Sequence, residues 1–461
     1  MQLPTPAVAP PLDPRFRPAA LANRALRQAA EAAGKSAPLA IALERGDGSI
    51  STYRTTAVAP GGPQHEANLE YAERIVKTLL WQRGGWRVII GGPDGIGEHI
   101  RQVYSPSGPR AFDHEFMGGV YEKPFTVDVT DADRVPDTQE ATAPLGRHLE
   151  GCRIGFDLGA SDYKIAAVID GESVFSDEIV WHPREQTDPD YHYEKIMEGL
   201  KMAMAHLPRV DAIGGSSAGV YINNRVRVAS LFRGIPKDLF DAKIAGMFVR
   251  IGQELGVPLE VINDGEVTAL AGSMSLEDNP VLGIAMGSSE AGGYVTPEGN
   301  VTGWLNELAF VPFDYQPEAA VDEWSGDRGV GSQYLCQTGV IRLAPAAGID
   351  LSAWATPAEK LKAVQDLMAA GDERVPPIYE SIGSYLGYAI AHYADFYELK
   401  HVLVLGRVTS GAGGQLIIDR ANRVLGEEFP ELAARITVSL PDERSRRVGQ
   451  AIAAASLPAI G

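Results

Sequence analysis

Four short segments place an acid, a hydroxyl or a run of glycines where an extended stretch ends. Asp157-Leu158-Gly159-Ala160-Ser161 follows the short strand Arg153–Asp157 and offers a carboxylate, a glycine and a hydroxyl. Val261-Ile262-Asn263-Asp264-Gly265 releases an Asn-Asp pair from a buried strand. The residues after it, Glu266 to Ala271, read as helix and put Asp264 near a strand end. Gly287-Ser288-Ser289-Glu290-Ala291-Gly292-Gly293 follows the apolar strand Val281–Met286, and Gly406-Arg407 with the glycines to Gly414 follows His401–Leu405. Phosphoryl transfer calls for such groups: amides around phosphates, an acid for a hydrated metal and a base for the acceptor hydroxyl. Each segment also has the composition of a plain turn or a glycine-loosened hairpin. Both readings stand when the segments are taken one at a time.

The elements that must position these residues belong to a large globular protein. A length of 461 residues is enough for about three domain-sized units. Hydrophobic residues at 45% and charged residues at 22% exclude a disordered chain. A net charge of −19 argues against a nucleic-acid footprint, while leaving room for a phosphate ligand held locally by amides and a divalent metal. No stretch approaches the roughly 18 apolar residues that cross a bilayer, so no membrane association is expected. Met1–Pro18 lacks the pattern of a signal peptide and reads as a flexible tail, which makes the cytoplasm the expected location. Cys152 and Cys336 cannot build a disulfide framework and read as small buried hydrophobes.

Leu39–Glu44 and Tyr53–Val58 predict a strand pair around Gly46-Asp47-Gly48, followed by a helix over Ala67–Trp81 and a strand over Trp86–Ile90. The glycine-rich run after it, Gly91 to Gly97, has the make-up of a loop that cradles a phosphate, but it misses the dinucleotide fingerprint, which favours a tight turn. Asp128–Glu150 is acidic and proline-bearing, as linkers are. Beyond it, Lys164–Ile169 is the expected hairpin partner of Arg153–Asp157, Tyr191–Leu207 is an amphipathic helix, and Asp211–Gly214 is a strand. Tyr71–Gly92 and Tyr193–Gly215 share this order of helix, strand and paired glycines. An internal duplication and common α/β packing explain that likeness equally well.

The order and spacing of the segments from Gly151 onward resemble the repressor–open-reading-frame–kinase (ROK) family of sugar kinases. Asp157–Ser161 is similar to that family's first phosphate motif, and Gly287–Gly293 to its second. Gly214–Gly219, with Val226–Leu231 after it, resembles the segment leading to the sugar site. Tyr379–Tyr397 and Val402–Gly406 resemble the helix and strand on the adenosine side. The resemblance implies an α/β, two-lobed actin-like ATPase (ribonuclease H-like) fold with an extra N-terminal α/β region. Residues 1–150 would be an N-terminal extension of unknown role, 151–265 with 444–461 a small lobe, and 266–443 a large lobe. It also implies ATP-dependent phosphorylation of a sugar or polyol, with Asp264 as general base and Asp157 acting through Mg2+. Asn263, Glu307, Ser230 and Tyr334 would contact the acceptor. Gly159, Ser161, Gly287, Ser288, Gly406 and Arg407 would line the nucleotide. A homodimer is implied by analogy alone.

Several positions depart from the family pattern. Phe310 stands where the family has a histidine, Tyr334 where it has a sugar-binding glutamate, and Ser161 where it has a threonine. Lost polar contacts point away from an ordinary glucose-like acceptor, since hydroxyl-binding groups discriminate by up to about 10⁴–10⁵-fold. Two other classes fit the same residues: a non-catalytic sugar or nucleotide sensor, and an ATPase acting on a protein or cofactor partner. Ser325–Tyr334, which aligns with the family's zinc motif, contains neither cysteine nor histidine. No zinc is therefore expected. Elemental analysis of the purified protein should find no stoichiometric zinc, and about one tightly held ion per chain would overturn the alignment.

Overall fold

The computed structural model describes residues 1–140, 145–159, 162–441 and 443–460, with the side chains of 443–448 left out. Alternating apolar residues set up the first sheet. β1 (Ser36–Glu44) and β2 (Ile50–Val58) form an antiparallel hairpin with Ala40 opposite Arg54. Asp47 holds its turn by accepting from the Ser49 amide at 2.9 Å. β3 (Arg87–Gly91) joins β1 antiparallel, and β4 (Thr126–Thr130) joins β3 in parallel, giving the order β2-β1-β3-β4. The helix Asn68–Arg83, two residues longer at its end than expected, buries Tyr71, Ile75, Val76, Leu79 and Leu80.

The second sheet begins with β5 (Cys152–Leu158), β6 (Asp162–Ile169) and β7 (Glu172–Val180), an antiparallel meander. The helix Pro189–Met204 then crosses over; Asp188 caps it by accepting from the Asp190 amide at 3.0 Å. It returns the chain to β8 (Ala212–Ser217), parallel to β5. A small hairpin of β9 (Val220–Ile222) and β10 (Arg225–Val228) follows, then β11 (Leu259–Asn263), parallel to β8. The order is β11-β8-β5-β6-β7. Ile154, Phe156, Leu158, Ile196, Leu200 and Phe248 lie in its core. Because β1 and β3 are antiparallel while β5 and β8 are parallel, the two shared helix–strand segments are not copies of one unit. Common packing explains them.

A third sheet collects β12 (Val281–Met286), β13 (Glu290–Val295), β14 (His401–Leu405) and β15 (Thr437–Ser439) in the order β13-β12-β14-β15. The chain divides into two compact units. One comprises Met1–Ala141, Ile284–Gly292 and Trp304–Leu440; the other comprises Thr142–Gly283, Gly293–Gly303 and Pro441–Gly461. This differs from the expected division. The first 141 residues do not stand apart but share a unit with 304–440, and the helix Asp264–Leu276 stays with the second sheet. Among the described residues no helix is long and apolar enough to cross a membrane.

Two segments expected to be loose are tied down. Phe16, fully buried, sits among Phe313, Tyr334, Tyr385 and Tyr388 with ring centroids 5.0–6.3 Å apart, so the first residues are docked rather than free. In the expected linker, Gln139 exchanges backbone hydrogen bonds with Ile50, and Glu140 pairs with Arg45. Neither contact is visible locally, because each joins residues far apart in sequence.

A buried charge cluster fastens the N-terminal segment to 304–440. Asp327 accepts from Arg74 at 2.9 Å and pairs with Arg110 at 2.7 Å and with Lys77 at 3.7 Å. Lys77, fully buried, donates to Asp113 at 2.6 Å, and the Trp81 indole donates to the same oxygen at 2.5 Å. Burial works against an ionised Asp327, but Arg74, Lys77 and Arg110 outweigh it and hold its carboxyl far below the ordinary 3.8. Removing one partner of such a cluster leaves uncompensated charge in the interior, at a cost of about 3–5 kcal/mol. Asp327→Ala should lower unfolding stability by that amount in a denaturant titration at neutral pH. The depressed carboxyl also means that its stabilisation is complete above about pH 4 and fades as pH falls below that. The difference between the native protein and Asp327→Ala should therefore narrow in acid.

Candidate functional site

β5, β8 and β11 run in one direction, with Asp157 beside Ser216 and Ser216 beside Ile262 in register. Their carboxyl ends bring Asp157, Ser216, Asn263 and Asp264 to one edge of the sheet. In open α/β sheets that edge is where ligands bind. The Ser216 hydroxyl donates to Asp157 Oδ1 at 2.6 Å. Asn263 ends β11 and caps the helix Asp264–Leu276, its Oδ1 accepting from the Gly265 amide at 2.7 Å while Nδ2 donates to the Gly219 carbonyl at 2.8 Å. The side chain that the resemblance assigns to the acceptor thus also fixes the start of this helix. Asp264 is the first residue of that helix, with Oδ1 3.1 Å from the Gly265 amide.

The two carboxyl groups titrate abnormally. Burial, and after it the charge of Asp157, push Asp264 up to about 6, against the pull of backbone amides. Asp157 is also raised, by burial, with the Ser216 hydroxyl and Lys164 pulling the other way. A carboxyl near 6 is mostly ionised at neutral pH yet basic enough to accept a proton, which suits a general base. Ser216 is a member of this site that the sequence reading passed over. Its signal is the Gly214-Gly215-Ser216-Ser217 run at the end of a strand parallel to the one bearing Asp157.

Other expected residues lie elsewhere in the same unit. Gly159 packs closely on the Asp162 carbonyl, and its own carbonyl accepts from the Trp181 indole at 2.8 Å. Ser161 lies outside the described residues. Ser230 is exposed in a short turn and accepts from Arg184 at 3.2 Å.

The remaining expected residues belong to the other unit. Gly287 uses its amide within its own turn, donating to the Ser289 carbonyl at 3.0 Å, and Ser288 is exposed. Gly406 has φ +103°, and a Cβ there would overlap the Met286 backbone, so close strand packing requires this glycine whatever it binds. Arg407 beside it is exposed. Glu307 is half-buried, with its amide bound to the Trp81 carbonyl at 2.9 Å. Tyr334 does not face a ligand. It is 1% exposed, and its hydroxyl donates to Asp314 at 2.7 Å beneath Arg342. The reading of Tyr334 as an acceptor contact is corrected: an aromatic side chain at that position completes the pocket that holds Phe16.

No protein-family model and no curated protein matches the chain. Solved structures do. The ROK hexokinase from Thermus thermophilus aligns at 17% identity with a TM-score of 0.51, over 66% of this chain and 97% of that one. A ROK family transcriptional regulator, a homologue of the E. coli MLC protein, aligns at 18% identity with a TM-score of 0.52, over 67% and 79%. The chain has the ROK fold. The shared fold covers about two-thirds of this chain. One similar structure is an enzyme and the other a regulator, so function must be argued from the site.

The placement of Asp264 depends on a close backbone approach inside its own unit. Gly293 of β13 lies against the Gly265 carbonyl, where a Cβ would overlap the oxygen. Gly293→Ala must push the start of the helix away, and overpacking of this kind costs about 1–3 kcal/mol. A denaturant titration should register that loss. An unchanged midpoint would mean that the helix start is free to yield.

Proposed function

We propose that the protein is an ATP-dependent carbohydrate kinase that transfers a phosphoryl group to a hydroxyl of a sugar or sugar-like polyol. The observation that carries this reading is the carboxyl pair at the ends of parallel strands, with Asp264 pushed up to about 6 beside Asp157. Asp264 accepts the proton of the attacking hydroxyl as transfer proceeds. The Asn263 cap and the helix beginning at Asp264 fix the direction of its carboxylate, and the helix N-terminus favours its charged form. Ser216 orients Asp157 through one oxygen. Asn263 supplies a hydroxyl contact within the unit that carries Asp264.

A hydrated magnesium ion takes one or two carboxylates and fills the rest of its shell with water and phosphate oxygens. Asp157 fits that role, because a half-buried carboxyl raised by burial gains from a nearby cation. The ion, when bound, neutralises phosphate charge during transfer.

A second reading, a sugar or nucleotide sensor on the same fold, is favoured by the Gly287 amide, which is engaged within its own turn. Turnover separates the two. A coupled-ADP screen across sugars, amino sugars and cyclitols should find an acceptor, and Asp264→Asn should lower its turnover by about 10²–10⁴-fold with little change in ATP-analogue binding. Because the base works only when ionised, kcat/KM should fall as pH drops through about 6, and this limb should disappear in Asp264→Asn. Absence of transfer to every acceptor, with ligand binding intact, would put the sensor first.

A further inference from the structure

Arg184 and Arg233 are neighbouring cations without an acid. Among the described residues neither guanidinium forms an ion pair. The acids close by in sequence are used elsewhere: Asp190 pairs with Lys243 at 2.6 Å, and Asp188 caps the helix Pro189–Met204. Arg184 is half-buried, and its Nη2 donates to the Ser230 hydroxyl at 3.2 Å. Its Nε is closed off from solvent and has no hydrogen-bond partner. A buried donor in that state is costly, and more so when it carries charge. Burial, and after it the charge of Arg233, lower the pKa of Arg184.

The turns that bring the two arginines together are fixed. Arg184 lies in the turn Pro183–Glu185, and Arg233 directly follows the turn Ser230–Phe232. Pro183, Leu231 and Phe232 are buried. His192, fully buried, bridges the turns, with Nε2 3.1 Å from the Pro183 carbonyl and 3.4 Å from the Leu231 carbonyl. Gly234 packs so closely on the first turn that a Cβ would lie 2.4 Å from the Gln186 carbonyl oxygen and 3.1 Å from that of Arg184. The backbone thus holds two like charges near each other, an arrangement that a bound anion relieves.

We infer that Arg184, Arg233 and the Ser230 hydroxyl form a binding site for a phosphate group, either free inorganic phosphate or a phosphomonoester. Two unpaired guanidinia call for a dianion. A phosphomonoester carries about −1.5 to −2 near pH 7, whereas a carboxylate carries a single charge. Arginine's planar fork meets phosphate oxygens in pairs. Ser230 accepts from Arg184, so its own hydrogen is left to donate to a phosphate oxygen. The chain's net charge of −19 repels anions at long range, but salt screens that field beyond about 8–10 Å and the local pair decides. The site lies in the unit that carries Asp264, yet it goes beyond the kinase reading and does not rest on it.

The test is calorimetric titration, at constant ionic strength and without nucleotide, with inorganic phosphate, glycerol 3-phosphate, glycerate and glycerol. Phosphate or glycerol 3-phosphate should bind about tenfold more tightly than glycerate, and glycerol should not bind. Arg184→Gln and Arg233→Gln should each weaken that binding about ten- to a hundredfold, the contribution of a charge-assisted hydrogen bond. Each substitution removes an uncompensated charge, so neither should lower the midpoint of denaturant unfolding; a merely structural arginine would lower it. Tighter glycerol 3-phosphate assigns the site to a phosphomonoester, and tighter inorganic phosphate assigns it to the free ion. Binding of neither phosphate, or glycerate binding equally well, would overturn the inference. So would phosphate binding indifferent to both substitutions, which would put the ion elsewhere. None of these failures touches the kinase reading, which turnover by the native protein and Asp264→Asn decides.

Discussion

The Asp327 carboxylate is the point on which the larger unit depends. Bringing a charge to 3% exposure is unfavourable unless its partners arrive with it. Those partners come from the N-terminal segment: Arg74 and Lys77 from the helix Asn68–Arg83, and Arg110 from the turn before the helix Ala111–Tyr121. Lys77 in turn requires Asp113, and Asp113 also takes the Trp81 indole hydrogen. No member can be left out without stranding another. The first 141 residues are therefore part of the unit that carries Glu307 and Trp324, because Asp327 finds its cationic partners there.

The second unit solves a different problem, the placing of two like charges. Strand direction does most of it. Parallel β5, β8 and β11 release their chains at a common edge, so Asp157 and Asp264 fall near each other although 106 residues lie between them in the sequence. Burial raises both groups, and the charge of Asp157 raises Asp264 further, so the charged state is weakened. Backbone amides at the helix start oppose that tendency for Asp264, and the Ser216 hydroxyl and Lys164 oppose it for Asp157. The balance leaves Asp264 close to neutral pH, neither locked ionised nor locked protonated.

Much of the strand pattern was legible in the sequence. β12 and β14 begin and end where apolar runs do, and the Asn-Asp pair after β11 was placed at a strand end because helix-forming residues follow it. Local patterns carry such information. They carry none about partners hundreds of residues away, which is why Phe16 and Gln139 read as tail and linker although each is held by tertiary contacts. Tyr334 failed for a related reason. A tyrosine at an aligned position says nothing about which way its hydroxyl points, and Asp314 supplies the partner that turns it inward. The aromatic cluster around Trp81 was invisible for the same cause: its rings come from residues 81, 112, 116, 310 and 324.

Ser325–Tyr334 shows how one requirement can be met by different chemistry. A segment that lies beside a proposed acceptor contact must hold its shape whether or not a ligand is present, since looseness there is an entropic cost at every binding event. Metal ligands are one means of fixing such a segment. Here Asp322 closes the turn from within, Asp327 fastens it from outside, and the Tyr334 hydroxyl bond to Asp314 secures its far end. These fixings are carboxylates, so the segment's rigidity is tied to their ionisation. The tie is weakest in acid, where the cations around Asp327 would lose the charge that justifies their burial.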